Sequence, residues 1–308
     1  MVDASGDSLN VARRAGIVGA ATVGTLTVGS IVRELEAMLA AANIAEPKRE
    51  AGDIIAAVND VPRFWALLHE DAAASSELSE QCRRAAQHRS SGAPFAYAVG
   101  RSAFRHLTLQ VDERVLIPRQ ETELLIDEVL AREPTGLAID IGTGSGAIAL
   151  ALASEGRFDR VIGTDVSSGA IAVARGNGNR LANDLTAPVE WRVGALLAPV
   201  AGERARVLVS NPPYIAFDEA RSLPESVRDW EPPFALYSAS GGMSISASII
   251  RGAPDVLEPG GLLVMELDSR RASLAAELAL ACGRYRDVSV RLDLAGRERF
   301  LIARRKDE

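Results

Sequence analysis

From Leu137 onward, short apolar runs alternate with helical stretches, and this alternation restricts the fold more than any other feature of the chain. "LAIDIG" reads as a strand and "AIALALASEG" as the helix after it, while "VIGTDV" is followed by "SGAIAVARGNGNRLA". "VEWRVG", "VLVSN", "LLVMEL", "VSVRLDL" and "RFLIARR" supply the remaining strands. Strands and helices in such succession predict an α/β fold with a doubly wound, mainly parallel sheet. The last two runs are joined by the short turn "AGRE" and should pair antiparallel.

The upstream part has a different grain. Residues from about Val28 to His88 are rich in Ala, Leu and Glu and almost free of strand signals. "IVRELEAMLAAANI" places Ile31, Leu35, Met38, Leu39 and Ala42 on one helical stripe. "SSELSEQCRRAAQHRSSG" opens on serine and closes on glycine, as a capped helix does. A small helical domain is therefore expected over residues 28–92. "FAYAVGRSAFRHLTLQVDERVLI" switches to period-two alternation, which predicts a β-hairpin connector over 93–118, before "PRQETELLIDEVL" returns to helix and opens a domain spanning 119–308. The extension before this, residues 1–27, is expected to be disordered. Its "ARRAGIVGAATVGTLTVGSIV" has a weak likeness to a leader, but its Gly and Thr make a poor hydrophobic segment.

Composition removes several classes of function. A formal net charge of −7 disfavours binding that depends on neutralising many phosphates. Cys82 and Cys282 are far apart with no CxxC, which suits buried thiols in a reducing, cytoplasmic setting. His69, His88 and His106 are too scattered for a metal site, and no GxSxG elbow is present. No segment has the apolar length of a membrane span.

Three short stretches carry the chemistry. "DIGTGSG" at 140–146 follows a strand and opens a helix, so that Gly142, Gly144 and Gly146 allow a sharp turn and close approach of a ligand. Its spacing lacks the last glycine of a dinucleotide fingerprint, and no Lys-Ser/Thr follows to make a phosphate loop. Asp165, at the carboxyl end of the next strand, is placed to accept both hydroxyls of a ribose. The alternative is a helix cap, a role that Ser167 or Ser168 fills better. In "VLVSNPPYIA", Pro212 and Pro213 stop a strand and stiffen a loop that presents Asn211 and Tyr214. By itself that stretch could be a strand terminator.

Together, Gly loop, acidic residue and "NPPY" resemble the S-adenosylmethionine-dependent methyltransferases that act on nitrogens conjugated to planar groups. The segments "RSSGAPFAYAVGRSAFRHLTLQVDERVLIPRQETELLI", "SLPESVRDWEPPFALY" and "APDVLEPGGLLVMEL" narrow the likeness to the release-factor glutamine N5-methyltransferases, the PrmC/HemK family. That resemblance implies a Rossmann-like seven-stranded sheet, a helical substrate-binding domain, and transfer of a methyl group to the Gln amide in the Gly-Gly-Gln loop of class I peptide chain release factors. S-adenosylmethionine would be the cofactor and S-adenosylhomocysteine its product. Asp140, Gly142, Thr143, Gly144, Gly146, Asp165, Val166, Ala195, Leu196 and Asn211 would surround it. Asn211, Pro212 and Tyr214 would be catalytic, with Pro213 and a wall from Phe104 completing the substrate pocket. "IPRQETE" would line the approach, Arg119 and Glu121 being structural.

Three departures stand out. Ala195 or Leu196 occupies the place of an acidic residue that meets the adenine amine; "ALYSASGGMSI" replaces a Gly-Gly-x-x-Gly turn; and "ELDSRRA" replaces Glu-Ile-Gly with a later Gln. Another protein glutamine, a small amide or amine, and a nucleic-acid base amine remain open as substrates at this stage, although the acidic balance speaks against nucleic acid.

Overall fold

The computed structural model describes residues 26–307, so the expected extension lies outside the described residues except for Leu26 and Thr27, and of the leader-like stretch only residues 26–32 are described. The chain divides into two units, one ending at Arg101 and the other beginning at Ser102.

The first unit is helical: α1 (Val28–Ala41), α2 (Pro47–Asn59), α3 (Trp65–Leu68), α4 (Ser76–Ser90) and α5 (Phe95–Val99). Thr27 caps α1, its hydroxyl accepting from the Ser30 N–H at 3.1 Å while Ser30 Oγ accepts from the Thr27 N–H at 3.0 Å. Ser75 caps α4 through the Leu78 N–H at 3.1 Å. Ile31, Leu35 and Leu39 of the expected stripe are fully buried, packed in one core with Ile54, Ile55, Leu78 and Cys82; Met38 lies at its edge. Burial pushes the Cys82 thiol up to about 12, whereas Cys282, in the second unit, is only half-buried. "FAYAV", expected as part of the hairpin, is the short helix α5. Pro94 fixes its start and Gly100, at φ 70°, ends it in a left-handed turn, so local chain geometry overrides a five-residue apolar alternation.

The hairpin itself is shorter, β1 (Arg101–Phe104) and β2 (Leu107–Gln110). It is built into the α/β unit, because Phe104, Leu107 and Leu109 are buried in the same core as Leu125 and Leu150. The backbone of Gln110 also exchanges hydrogen bonds of 2.7 and 2.9 Å with the buried Asn177 amide.

The α/β unit continues with α6 (Gln120–Arg132), β3 (Thr135–Ile141), α7 (Ala147–Glu155), β4 (Arg157–Asp165), α8 (Ser168–Arg180), β5 (Val189–Val193) and β6 (Ala205–Ser210). The short helices α9 (Glu225–Arg228) and α10 (Pro233–Leu236) lead to α11 (Ser244–Val256), β7 (Leu257–Glu266), α12 (Ala272–Ala281), β8 (Tyr285–Leu292) and β9 (Glu298–Arg305). The seven-stranded sheet has the order β5-β4-β3-β6-β7-β9-β8, with β8 and β9 antiparallel as the "AGRE" turn predicted, β9 also antiparallel to β7, and the other pairs parallel. Alternate strand residues feed two cores. Ala138, Val161, Val207 and Val209 face α6 and α7, and Ile139, Ile162, Leu208 and Leu263 face α11 and α12. Among the described residues, no helix is long and apolar enough to cross a membrane.

Candidate active site

The strand order reverses at β3, which lies between β4 and β6, and ligands of open α/β sheets bind at the carboxyl ends of the strands flanking such a point. Register makes the ends level. Ile141 stands opposite Thr164 and Ser210, Asp165 opposite Val193, and Ser210 opposite Met265. One residue further along, the glycine loop, Val166, Gly194, Asn211 and Glu266 therefore emerge along one edge.

The glycine loop is held by its own backbone: the N–H groups of Gly142 and Thr143 both donate to the Thr164 carbonyl, at 2.9 and 2.8 Å. Gly142 and Gly144 have φ of 77° and 55°, and a Cβ at either would meet nothing within 4 Å, so the loop presents bare backbone to the cavity. Gly146 has another reason to be glycine. A Cβ there would come within 3.0 Å of the Trp191 ring and 3.2 Å of Leu150. Asp165 accepts from the Gly144 N–H at 3.0 Å on one oxygen and from the Ser167 N–H at 2.9 Å on the other. Ser167 is the cap of α8, accepting from the Ala170 N–H at 3.1 Å, so the capping role does not fall to Asp165. Burial raises the Asp165 carboxyl, and the backbone donors oppose that shift.

Gly142, Gly144, Asp165, Val166, Ala195, Leu196 and Asn211 line one cavity, together with Leu116, Phe234 and Ile245. Asp140, Thr143 and Gly146, also expected around the cofactor, are buried and do not line this cavity. Thr143 Oγ1 donates to Asp140 at 2.6 Å, and Asp140 is fully buried, which pushes its carboxyl up to about 7. These residues shape the loop from beneath. Bare glycine backbone, the carboxylate of Asp165 and the apolar Val166, Ala195 and Leu196 fit a nucleoside cofactor.

Asn211, Pro212 and Pro213 also line a second cavity, with Tyr214, Leu116, Arg119 and Leu236. The Asn211 side chain donates through Nδ2 to Thr122 Oγ1 at 3.0 Å, and Thr122 donates to Glu266 Oε2 at 2.6 Å. Burial, foremost, raises the Tyr214 phenol well above its usual range and Glu266 to about 6. Thr122 and Glu266 were not singled out by the sequence, although both lie in stretches it marked, "IPRQETE" and "ELDSRRA". Arg119 is paired with the buried Glu231 at 2.5 Å, which also accepts from the Ile117 N–H at 3.3 Å; this is a bond that fixes the approach segment.

Phe104 is the clearest correction: it lines neither cavity and is 1% exposed in the core beside Leu125 and Leu150. As the last residue of β1 it turns inward, and α6 and α7 cover it. Two of the sequence departures meet behind Tyr214. Arg271, nearly buried, donates to the Gly241 carbonyl at 2.7 Å and to Glu219 at 2.9 Å, and Glu219 accepts from the Ala216 N–H at 3.1 Å. Gly242, at φ 87°, has no room for a side chain against the Tyr214 carbonyl and the Arg271 guanidinium.

Comparison with known proteins agrees with this geometry. Residues 120–223 match the family model for the methyltransferase small domain and residues 30–100 that for the PrmC N-terminal domain. The release factor glutamine methyltransferase of Moorella thermoacetica is 37% identical over 289 residues, covering 92% of this chain and 100% of that protein. The one from Cereibacter sphaeroides is 38% identical over 266 residues, covering 86% and 94% respectively. A solved methyltransferase from Pyrococcus furiosus is 20% identical with a TM-score of 0.50, covering 66% of this chain and 91% of that one, a likeness of fold alone. The chain belongs to the release factor glutamine methyltransferase family, and its cofactor is S-adenosylmethionine.

Proposed function

We propose that this chain methylates the side-chain amide nitrogen of the Gln in the Gly-Gly-Gln motif of class I peptide chain release factors, leaving S-adenosylhomocysteine. The observation that carries the reading is the shared wall. Asn211, Pro212 and Pro213 line both the cavity of the glycine loop and that of Tyr214, so they stand where donor and acceptor must meet. S-adenosylmethionine supplies a methyl group on a sulfonium, and the S–C electron pair stays with sulfur when that bond breaks.

An amide nitrogen is a poor nucleophile because its lone pair is delocalised into the carbonyl. The site offers acceptors and not a strong base. Asn211 Oδ1 and the Pro212 carbonyl would take the two N–H bonds of the substrate amide and turn its lone pair toward the methyl carbon. The N–C bond then forms, and the excess N–H proton is lost to solvent. Tyr214 and neighbouring apolar groups would stack on the amide plane, and holding the reacting atoms in line is itself a large rate contribution. In this reading the helical unit holds the protein substrate, and the enzyme works in the cytoplasm, where release factors act.

Incubation with release factor and methyl-labelled cofactor, followed by mass spectrometry of the Gln-containing peptide, tests the proposal. Asn211→Ala should lower methyl transfer by ~10²–10³-fold with cofactor affinity kept. Full activity in that variant would reduce "NPPY" to a strand terminator.

A further inference from the structure

The proposed role of Asn211 needs its oxygen, not its nitrogen, turned toward the substrate. A carboxamide has nearly the same shape either way round, so its partners decide the orientation. A nitrogen turned inward would set N–H against N–H and lose the grip on the substrate amide.

We infer that Thr122 and Glu266 are positioning residues that fix which end of the Asn211 amide faces the substrate; the inference rests on the functional reading above. The Thr122 hydroxyl has a single proton. Glu266, as a carboxylate, can only accept, and it takes that proton at 2.6 Å. What remains on Thr122 is lone pairs, and these suit the Asn211 Nδ2 at 3.0 Å. A reversed amide would bring its oxygen against a hydroxyl oxygen with no proton left to share.

Burial makes the choice binding, since Thr122 is 4% and Glu266 1% exposed and no water can easily stand in for either. The Tyr214 phenol is an electrostatic neighbour of the same carboxylate, so Glu266 lies behind both side-chain elements of the motif. Neither Thr122 nor Glu266 lines the two cavities, which separates their role from direct contact with the substrate. The residues come from α6, the end of β7 and the loop after β6, and only the sheet register brings them together.

The test is a mutant cycle read by single-turnover methyl transfer to intact release factor, with cofactor affinity measured by calorimetry. Thr122→Val should slow transfer roughly 10- to 100-fold, as loss of an orienting partner typically does, and leave cofactor affinity unchanged. Thr122→Ser, which keeps the hydroxyl, should restore the rate. In an Asn211→Ala background, Thr122→Val should have no further effect, because there is no amide left to orient. Glu266→Gln gives a second route without a void: its amide can donate to Thr122, freeing the hydroxyl proton to turn Asn211 around, and the same slowing is expected. A normal rate in Thr122→Val and Glu266→Gln, or losses that multiply with that of Asn211→Ala, would overturn the positioning role alone. A normal rate in Asn211→Ala itself would overturn the functional reading and this inference with it.

Discussion

The backbone N–H of Gly144 donates to Asp165 Oδ2 at 3.0 Å, so the glycine loop after β3 and the carboxylate ending β4 are one assembly. Asp165 thus shapes the cavity, and in the proposed reading it also accepts from a ribose.

Removing it should affect both roles. Asp165→Ala is expected to weaken S-adenosylmethionine binding by ~10–100-fold, the scale of lost hydrogen bonds to a charged group. Asp165→Asn, which keeps one acceptor oxygen, should lose less. Calorimetric titration of the three proteins decides the matter, and equal affinities would remove Asp165 from the cofactor site.

Ala195 offers a gain. It lines the cofactor cavity, and it or Leu196, which holds the bend at φ 51°, takes the place where the resemblance implies an acidic side chain on the adenine amine. Ala195→Asp should tighten cofactor binding about fivefold, one hydrogen bond's net contribution of roughly 1 kcal/mol. An unchanged or weaker dissociation constant would show that the adenine sits elsewhere.

Glu266 gives the site a pH signature. Burial raises its carboxyl to about 6, with Thr122, Arg299 and Tyr214 favouring the charged form and Glu121 opposing it. If the charged form orients Asn211, the methyl transfer rate should rise as pH increases through about 6, and Glu266→Gln should be slow and flat across that range. Stability runs the other way. A carboxyl raised in the folded state stabilises fully below its unfolded value near 4.5, and that contribution fades as pH climbs through the folded value. Asp140, pushed up to about 7, acts in the same sense. Denaturant titrations between about pH 5 and 7 should therefore show stability falling while activity rises. Parallel trends would contradict the assignment of the activity limb to Glu266.

The parts of this site that were legible in the sequence are local ones. Gly142 and Gly144 need unusual backbone angles, Pro212 and Pro213 stop a strand, and Asp165 ends one; each reads from its own neighbours. Gly146, at φ 85°, makes the expected turn, but the room it leaves for Trp191 does not show in its neighbours in sequence. Phe104 was expected at the substrate pocket from the family resemblance alone, and no local signal in its own stretch shows that α6 and α7 cover it. Thr122 and Glu266 are 144 positions apart, and nothing in either segment announces the other. The seven strands were readable one by one, yet only their order sets Asn211 beside Glu266.

The two carbonyl acceptors proposed at the head of the "NPPY" loop have a consequence for when the reaction stops. An unmodified glutamine amide has two N–H bonds, one for Asn211 Oδ1 and one for the Pro212 carbonyl. After one transfer the nitrogen has a single N–H and a methyl group that must lie against one of those oxygens. Pro212 and Pro213 make the loop too stiff to yield to it. On that proposal the product is a poorer ligand than the substrate: the same pair of oxygens that would ready the nitrogen for its first methyl would expel it before a second, and monomethylation is the expected outcome.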